Sequence, residues 1–133
     1  YAEHYEGMKL DARYLFEYGH ALHKLHRNEE SNRILQEALK VSSDPMILNI
    51  IGKNFQEMQQ YKDAEHWLIR STHRLPGRVY PYYLLAKLYQ EAGDYFPSEK
   101  QYWAIRMVLE TEPKVHSRAI DEMREEVKRM LRQ

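Results

Sequence analysis

Residues 51–76 read IGKNFQEMQQYKDAEHWLIRSTHRLP. Ile51-Gly52 opens the stretch, Phe55 follows the glycine by three residues, and Tyr61, Ala64, Leu68 and Ser71 come at three- and four-residue steps before Pro76 closes it. Apolar and small residues at that spacing share one side of a helix, so the stretch reads as two amphipathic helices joined by a short turn. The same arrangement returns on both sides. Tyr18-Gly19 lies 33 residues before Ile51-Gly52, and Leu85-Ala86 lies 34 after it. Twelve residues beyond each small residue stand Ser31, Ala64 and Ser98, and four further on stand Leu35, Leu68 and Tyr102. The first two blocks then place Ala38 and Ser71 three residues later. A period of this length is the signature of stacked two-helix units. Small residues such as Gly19 and Ser31 let paired helices approach, and Leu22, Phe55 and Tyr89 fill the space beside them.

The breaks agree with that register. Asp44-Pro45, Pro76-Gly77 and Glu112-Pro113 interrupt helices, while Pro81 and Pro97 suit first-turn positions, where the missing N–H has no helical partner to lose. After Pro113, Ala119, Ile120, Met123, Val127, Met130 and Leu131 share one face, and Arg118, Glu122, Glu125, Lys128, Arg129 and Arg132 lie elsewhere. That is the pattern of a capping helix, which a repeat stack needs to cover its last apolar face. The expected architecture is all-α: a right-handed α-α superhelix of about three hairpins (11–44, 45–77 and 78–112) and a cap (113–133) in one domain. Residues 1–10 are expected as a linker or the remnant of a preceding helix.

Composition narrows the function classes. Of 133 residues, 20 are Lys or Arg and 20 are Asp or Glu, so no large net field draws the chain to nucleic acid or anionic lipid. The 11 Tyr lack the basic stripe that usually accompanies base stacking, and no nucleic-acid partner is expected. The chain has no Cys, which removes thiolate nucleophiles, thiolate metal sites and disulfides. The longest apolar runs, such as Tyr82 to Ala86, fall far short of the roughly 20 residues that span a bilayer. Beginning at Tyr1, the sequence reads as a piece of something longer. No Gly-rich phosphate loop and no nucleophile elbow are present, and no cofactor or catalytic residue is expected.

Ile51-Gly52, Phe55, Tyr61, Ala64, Leu68, Ser71 and Pro76 resemble the tetratricopeptide (TPR) repeat, departing by Asn49 near the first aromatic position and Ser71 at the second alanine. Block one carries Leu15, Gly19, Leu22, Ser31, Leu35 and Ala38. Block three lacks the glycine and has Ile105 where a small residue is expected, which predicts a looser third hairpin. The resemblance implies a concave face built from the first helix of each hairpin. Its candidate ligand-groove residues are His20, His23, Asn49, Lys53, Tyr83 and Lys87, holding a protein or peptide partner through charge and an aromatic platform. An ordinary solvated face is the alternative. Phe16, His20, Ile50, Tyr80 and Leu84 occupy the places where some of these repeats grip a chaperone's terminal carboxylate, and they do not match that clamp. His20 and His23, three apart, also raise a small metal-enzyme reading, but no third ligand accompanies them and no metal is expected.

The run from Leu75-Pro76-Gly77-Arg78-Val79-Tyr80-Pro81 through Tyr89 is similar to the C-terminal tail of bacterial O-antigen ligase or polymerase-like membrane proteins. Glu112-Pro113-Lys114-Val115, the stretch Ser117 to Arg124, and Leu15-Phe16-Glu17-Tyr18-Gly19 add to that resemblance. It implies a soluble, non-catalytic scaffold tethered to a bacterial inner-membrane glycan ligase, on a side of the membrane left open. Membrane contact would come only through the parent protein, and none of the family's catalytic positions fall in this chain. An independent adaptor that binds a peptide in the groove is the competing reading.

Overall fold

A computed structural model describes residues 8–132. Of the segment 1–10 expected as a linker or helix remnant, residues 1–7 lie outside the described residues, and residues 8–10 belong to the first turn of the first helix. Seven α-helices follow one another there: α1 (Met8–Lys24), α2 (Asn28–Leu39), α3 (Pro45–Glu57), α4 (Tyr61–Arg74), α5 (Tyr80–Ala92), α6 (Ser98–Glu110) and α7 (Arg118–Met130). A single 3-10 turn, Gly93–Tyr95, precedes α6, and no strand occurs among the described residues. The all-α expectation holds, and neighbouring helices pack in succession, α1 with α2 and α2 with α3, then α5 with α6 and α6 with α7. The chain forms two compact units that divide within α4, one ending at Trp67 and the other starting at Leu68.

In the first unit α1 packs on α2, and α3 touches both. Leu15, Leu35, Ala38, Ile47, Ile50 and Ile51 make its core, with Phe16, Ile34, Leu39, Phe55 and Trp67 around them. Gly19 sets the approach of α1 and α2. A Cβ placed on it would fall 2.5 Å from both Cγ and Cδ2 of Leu35, closer than carbon atoms can come. Asp44 caps α3 by accepting a hydrogen bond from the Met46 N–H at 2.9 Å, with Pro45 at the first helical position.

The turns that close α1 and α3 have the same geometry. His26, with φ 61°, ends α1, and Gln59, with φ 60°, ends α3. At the first turn the Arg27 N–H reaches the Leu22 carbonyl at 3.0 Å and the His26 N–H reaches His23 at 2.9 Å. At the second the Gln60 N–H reaches Phe55 and the Gln59 N–H reaches Gln56, both at 2.9 Å. These paired bonds around a left-handed residue form the Schellman motif, made here with side chains where glycine is usual.

The second unit packs α5 on α6, and α7 against both. Leu85, Ala86, Leu88, Ala104, Val108 and Val127 are fully buried. Aromatic edges fill the remainder: Tyr82 meets Trp103 at 5.6 Å between centroids, and Tyr89 meets Phe96 at 5.0 Å, both near perpendicular. Between α5 and α6 the chain uses five residues where the turns at His26 and Gln59 use three, opened by Gly93 at φ 58°. Ile105, expected where a small residue would suit, is buried at 2 % exposure. Pro97 is the residue before α6 rather than a member of its first turn. In α7, Ile120, Val127 and Met130 are buried as expected of a cap, but Ala119 and Leu131 stay in solvent because they fall at the margins of the apolar stripe. Arg124 fixes this helix by donating from Nε to the Val108 carbonyl at 3.1 Å and from Nη2 to the Thr111 carbonyl at 2.8 Å, two acceptors left open at the end of α6.

Candidate binding face

On α1 the rings of Phe16, His20 and His23 form a ladder, with centroids 5.8 and 6.3 Å apart and the two imidazoles stacked. Their spacing of four and three residues puts them on one side of the helix. Burial, and then the charges of Lys24, His23 and Lys53, push the His20 imidazole below its ordinary value. Lys53 belongs to α3, so α1 and α3 together bring His20, His23, Lys24 and Lys53 to one cationic and aromatic patch in the first unit.

Beneath that patch lies a directed chain of hydrogen bonds. The Ser31 hydroxyl donates to the Gly19 carbonyl at 2.6 Å, which leaves Ser31 Oγ to accept from Asn54 Nδ2 at 2.9 Å. Asn54 Nδ2 also donates to Asn32 Oδ1 at 2.8 Å. Asn54 Oδ1 is therefore the acceptor that meets His23 Nδ1 at 2.6 Å, and the ring proton sits on Nδ1. Asn54 is fully buried and joins α1, α2 and α3 through one amide. At the turn, Glu57 accepts from His26 Nδ1 at 3.0 Å and Asn28 Nδ2 at 3.2 Å. Burial alone would raise the Glu57 carboxyl. Those two bonds, with the charges of His23 and His26, hold it below the usual carboxylate value.

The other expected groove residues fare differently. Asn49 is buried at 0 % exposure, its Nδ2 3.5 Å from Met46 Sδ and its Oδ1 without a hydrogen-bond partner, so it is not presented to a ligand. It faces inward because α3 is buried all round at this level, from Ile47 to Gly52. Tyr83 and Lys87 do come together on α5, but around Glu126 of α7. The Tyr83 hydroxyl donates to Glu126 Oε1 at 2.7 Å, and Lys87 Nζ lies 3.8 Å from Oε2 and 5.2 Å from the Tyr83 ring centre. Burial and the Glu126 carboxylate drive the Tyr83 phenol well above its usual value. The cap thus occupies the α5 part of the expected groove.

Sequence reasoning gave neither Asn54 nor Arg124 a structural role. Asn54 carried a signal nonetheless: it stands at the apolar spacing Ile47, Ile51, Asn54, and a polar residue on such a stripe must find partners inside. Arg124 showed no comparable mark.

A cleft of about 330 Å³ in the second unit is lined by Leu75, Val79, Val115, Ile120 and Met123, with Arg78 and Lys114 at its edge. Among the described residues no three His, Asp or Glu side chains gather closely enough to hold a metal ion. No protein-family model matches the chain, and no curated protein matches it.

Proposed function

We propose that the chain is a non-catalytic scaffold of tetratricopeptide-type hairpins that seats a peptide or protein partner, serving as the C-terminal tail of a bacterial envelope glycan ligase or polymerase-like membrane protein. The hairpin reading is supported above all by the recurrence of one turn geometry 33 residues apart, at His26 and Gln59. The seat is drawn on α1 and α3, because the α7 cap covers Tyr83 and Lys87 through Glu126, while Lys24 and Lys53 bring cationic groups beside the aromatic ladder of Phe16, His20 and His23. A photoreactive residue in place of Lys24, carried in the full-length protein in cells, is expected to capture a discrete partner. Lys53→Ala weakens that capture and Lys87→Ala leaves it unchanged. Equal capture with a photoreactive residue at exposed Arg118 on α7 sinks the assignment of the face.

The membrane tether rests on the resemblance of residues 75–89 and 112–124. No helix of the described residues is long and apolar enough to cross a membrane, and in this proposal the spans are assigned to the parent. The complete reading frame tests this: several runs of about 20 apolar residues are expected ahead of Tyr1. A frame without them removes the tether and leaves the adaptor reading.

A further inference from the structure

We infer that two copies of this chain pair through the exposed face of α6, forming a weak two-fold dimer. Glu99, Tyr102, Trp103, Arg106 and Leu109 follow one another at steps of three, one, three and three, which lays them along one side of the helix. Tyr102 is 62 % exposed in the middle of that stripe. Leu131, 48 % exposed at the end of α7, borders an open groove of about 510 Å³ beside it. Aromatic side chains flanked by charge are the usual anchors of protein interfaces.

The charges identify a second copy as the occupant. A two-fold axis between Tyr102 and Trp103 leaves Glu99 and Arg106 each 3.5 residues away, about 5 Å along the helix. Two antiparallel copies of α6 then set Glu99 of each against Arg106 of the other, and Tyr102 against Trp103. Sliding one copy by a helical turn instead opposes Glu99 to Glu110 of the second copy, which repels. The face is therefore self-complementary in one register, as an isologous contact requires. Arg106 already reaches Glu110 of its own helix at 3.8 Å, but that pair is exposed and worth little, so it yields readily to the new partner. A 13-residue helix is only about 20 Å long, which puts the buried area near the lower end for specific complexes and makes the association weak.

Sedimentation equilibrium of this 16.1 kDa chain, run from about 10 µM to about 1 mM as suits a weak interface, tests this. Dimer is expected at the upper concentrations. Glu99→Arg and Arg106→Glu each place like charges across the axis twice, and each is expected to raise the dimer dissociation constant about ten-fold or more. When the two variants are mixed, one chain is basic at both positions and the other acidic at both, so opposite charges meet on either side of the axis. An equimolar mixture is therefore expected to form a heterodimer. Circular dichroism checks that both exposed substitutions leave the helices intact. The inference is overturned by a wild-type chain that stays monomeric throughout, by single variants that associate as the wild type does, or by a mixture that remains monomeric.

Discussion

The two compact units meet the same requirement, burying the apolar side of a helical hairpin, by opposite means. The first brings helices close: Gly19 admits Leu35, the turns at His26 and Gln59 are short, and a buried amide ties three helices together. The second keeps bulk, with Ile105 buried where a small residue was expected, aromatic edges in the gaps, a five-residue turn, and a terminal helix clamped by Arg124 and Glu126. A repeat register therefore does not dictate one packing solution. Where the small residue is missing, side-chain volume and an added helix take over.

Trp67 and Trp103 give each unit its own fluorophore, so urea unfolding of single-tryptophan variants can separate them. The largest effect is expected for Leu35→Ala, about 2–5 kcal/mol read at Trp67, since a fully buried leucine leaves a cavity. Gly19→Ala alone should cost about 1–3 kcal/mol through overpacking, and much less in the Leu35→Ala background. Additive costs would show that close approach is not what Gly19 supplies. Asn54→Leu should remove about 1–3 kcal/mol by leaving Ser31, Asn32 and His23 without their shared partner. The second unit's counterpart, Arg124→Met, should cost about 1–2 kcal/mol at Trp103 through two unpaired carbonyls.

Smaller effects should separate the units by pH. The His20 and Glu57 values are depressed in the fold, so their contributions are complete above 6.5 and 4.5 respectively and are lost as pH falls through the folded values. Tyr83 is raised, so its contribution is complete below 10 and is lost as pH rises beyond it. Acid should thus weaken the first unit and alkali the second, with His20→Gln flattening the first dependence and Tyr83→Phe the second. Melting curves that move together across both ranges would break the distinction.

The repeat was legible because helix packing writes itself into local spacing: Gly19, Gly52 and Ala86 announce three hairpins by their intervals alone. Proline and aspartate at 44–45 marked the start of α3 for equally local reasons. The polar contacts were not legible to the same degree. Asn54 finds His23 31 residues away, and Tyr83 finds Glu126 43 residues away. No periodicity links such pairs, since each depends on which faces the hairpins turn toward one another. The same cause separates the groove candidates: spacing placed Asn49 and Lys53 on one side of α3, yet one is sealed in the interior and the other remains half-buried.

The Gly19 carbonyl, a backbone group that cannot exchange its role, sets the direction of every bond as far as His23. Because the ring proton is held on Nδ1, the ring's lone pair lies at Nε2, away from the bond to Asn54 Oδ1. The imidazole is wired as a one-way junction: it gives its proton to the joint among the three helices and keeps an acceptor for whatever meets the binding face.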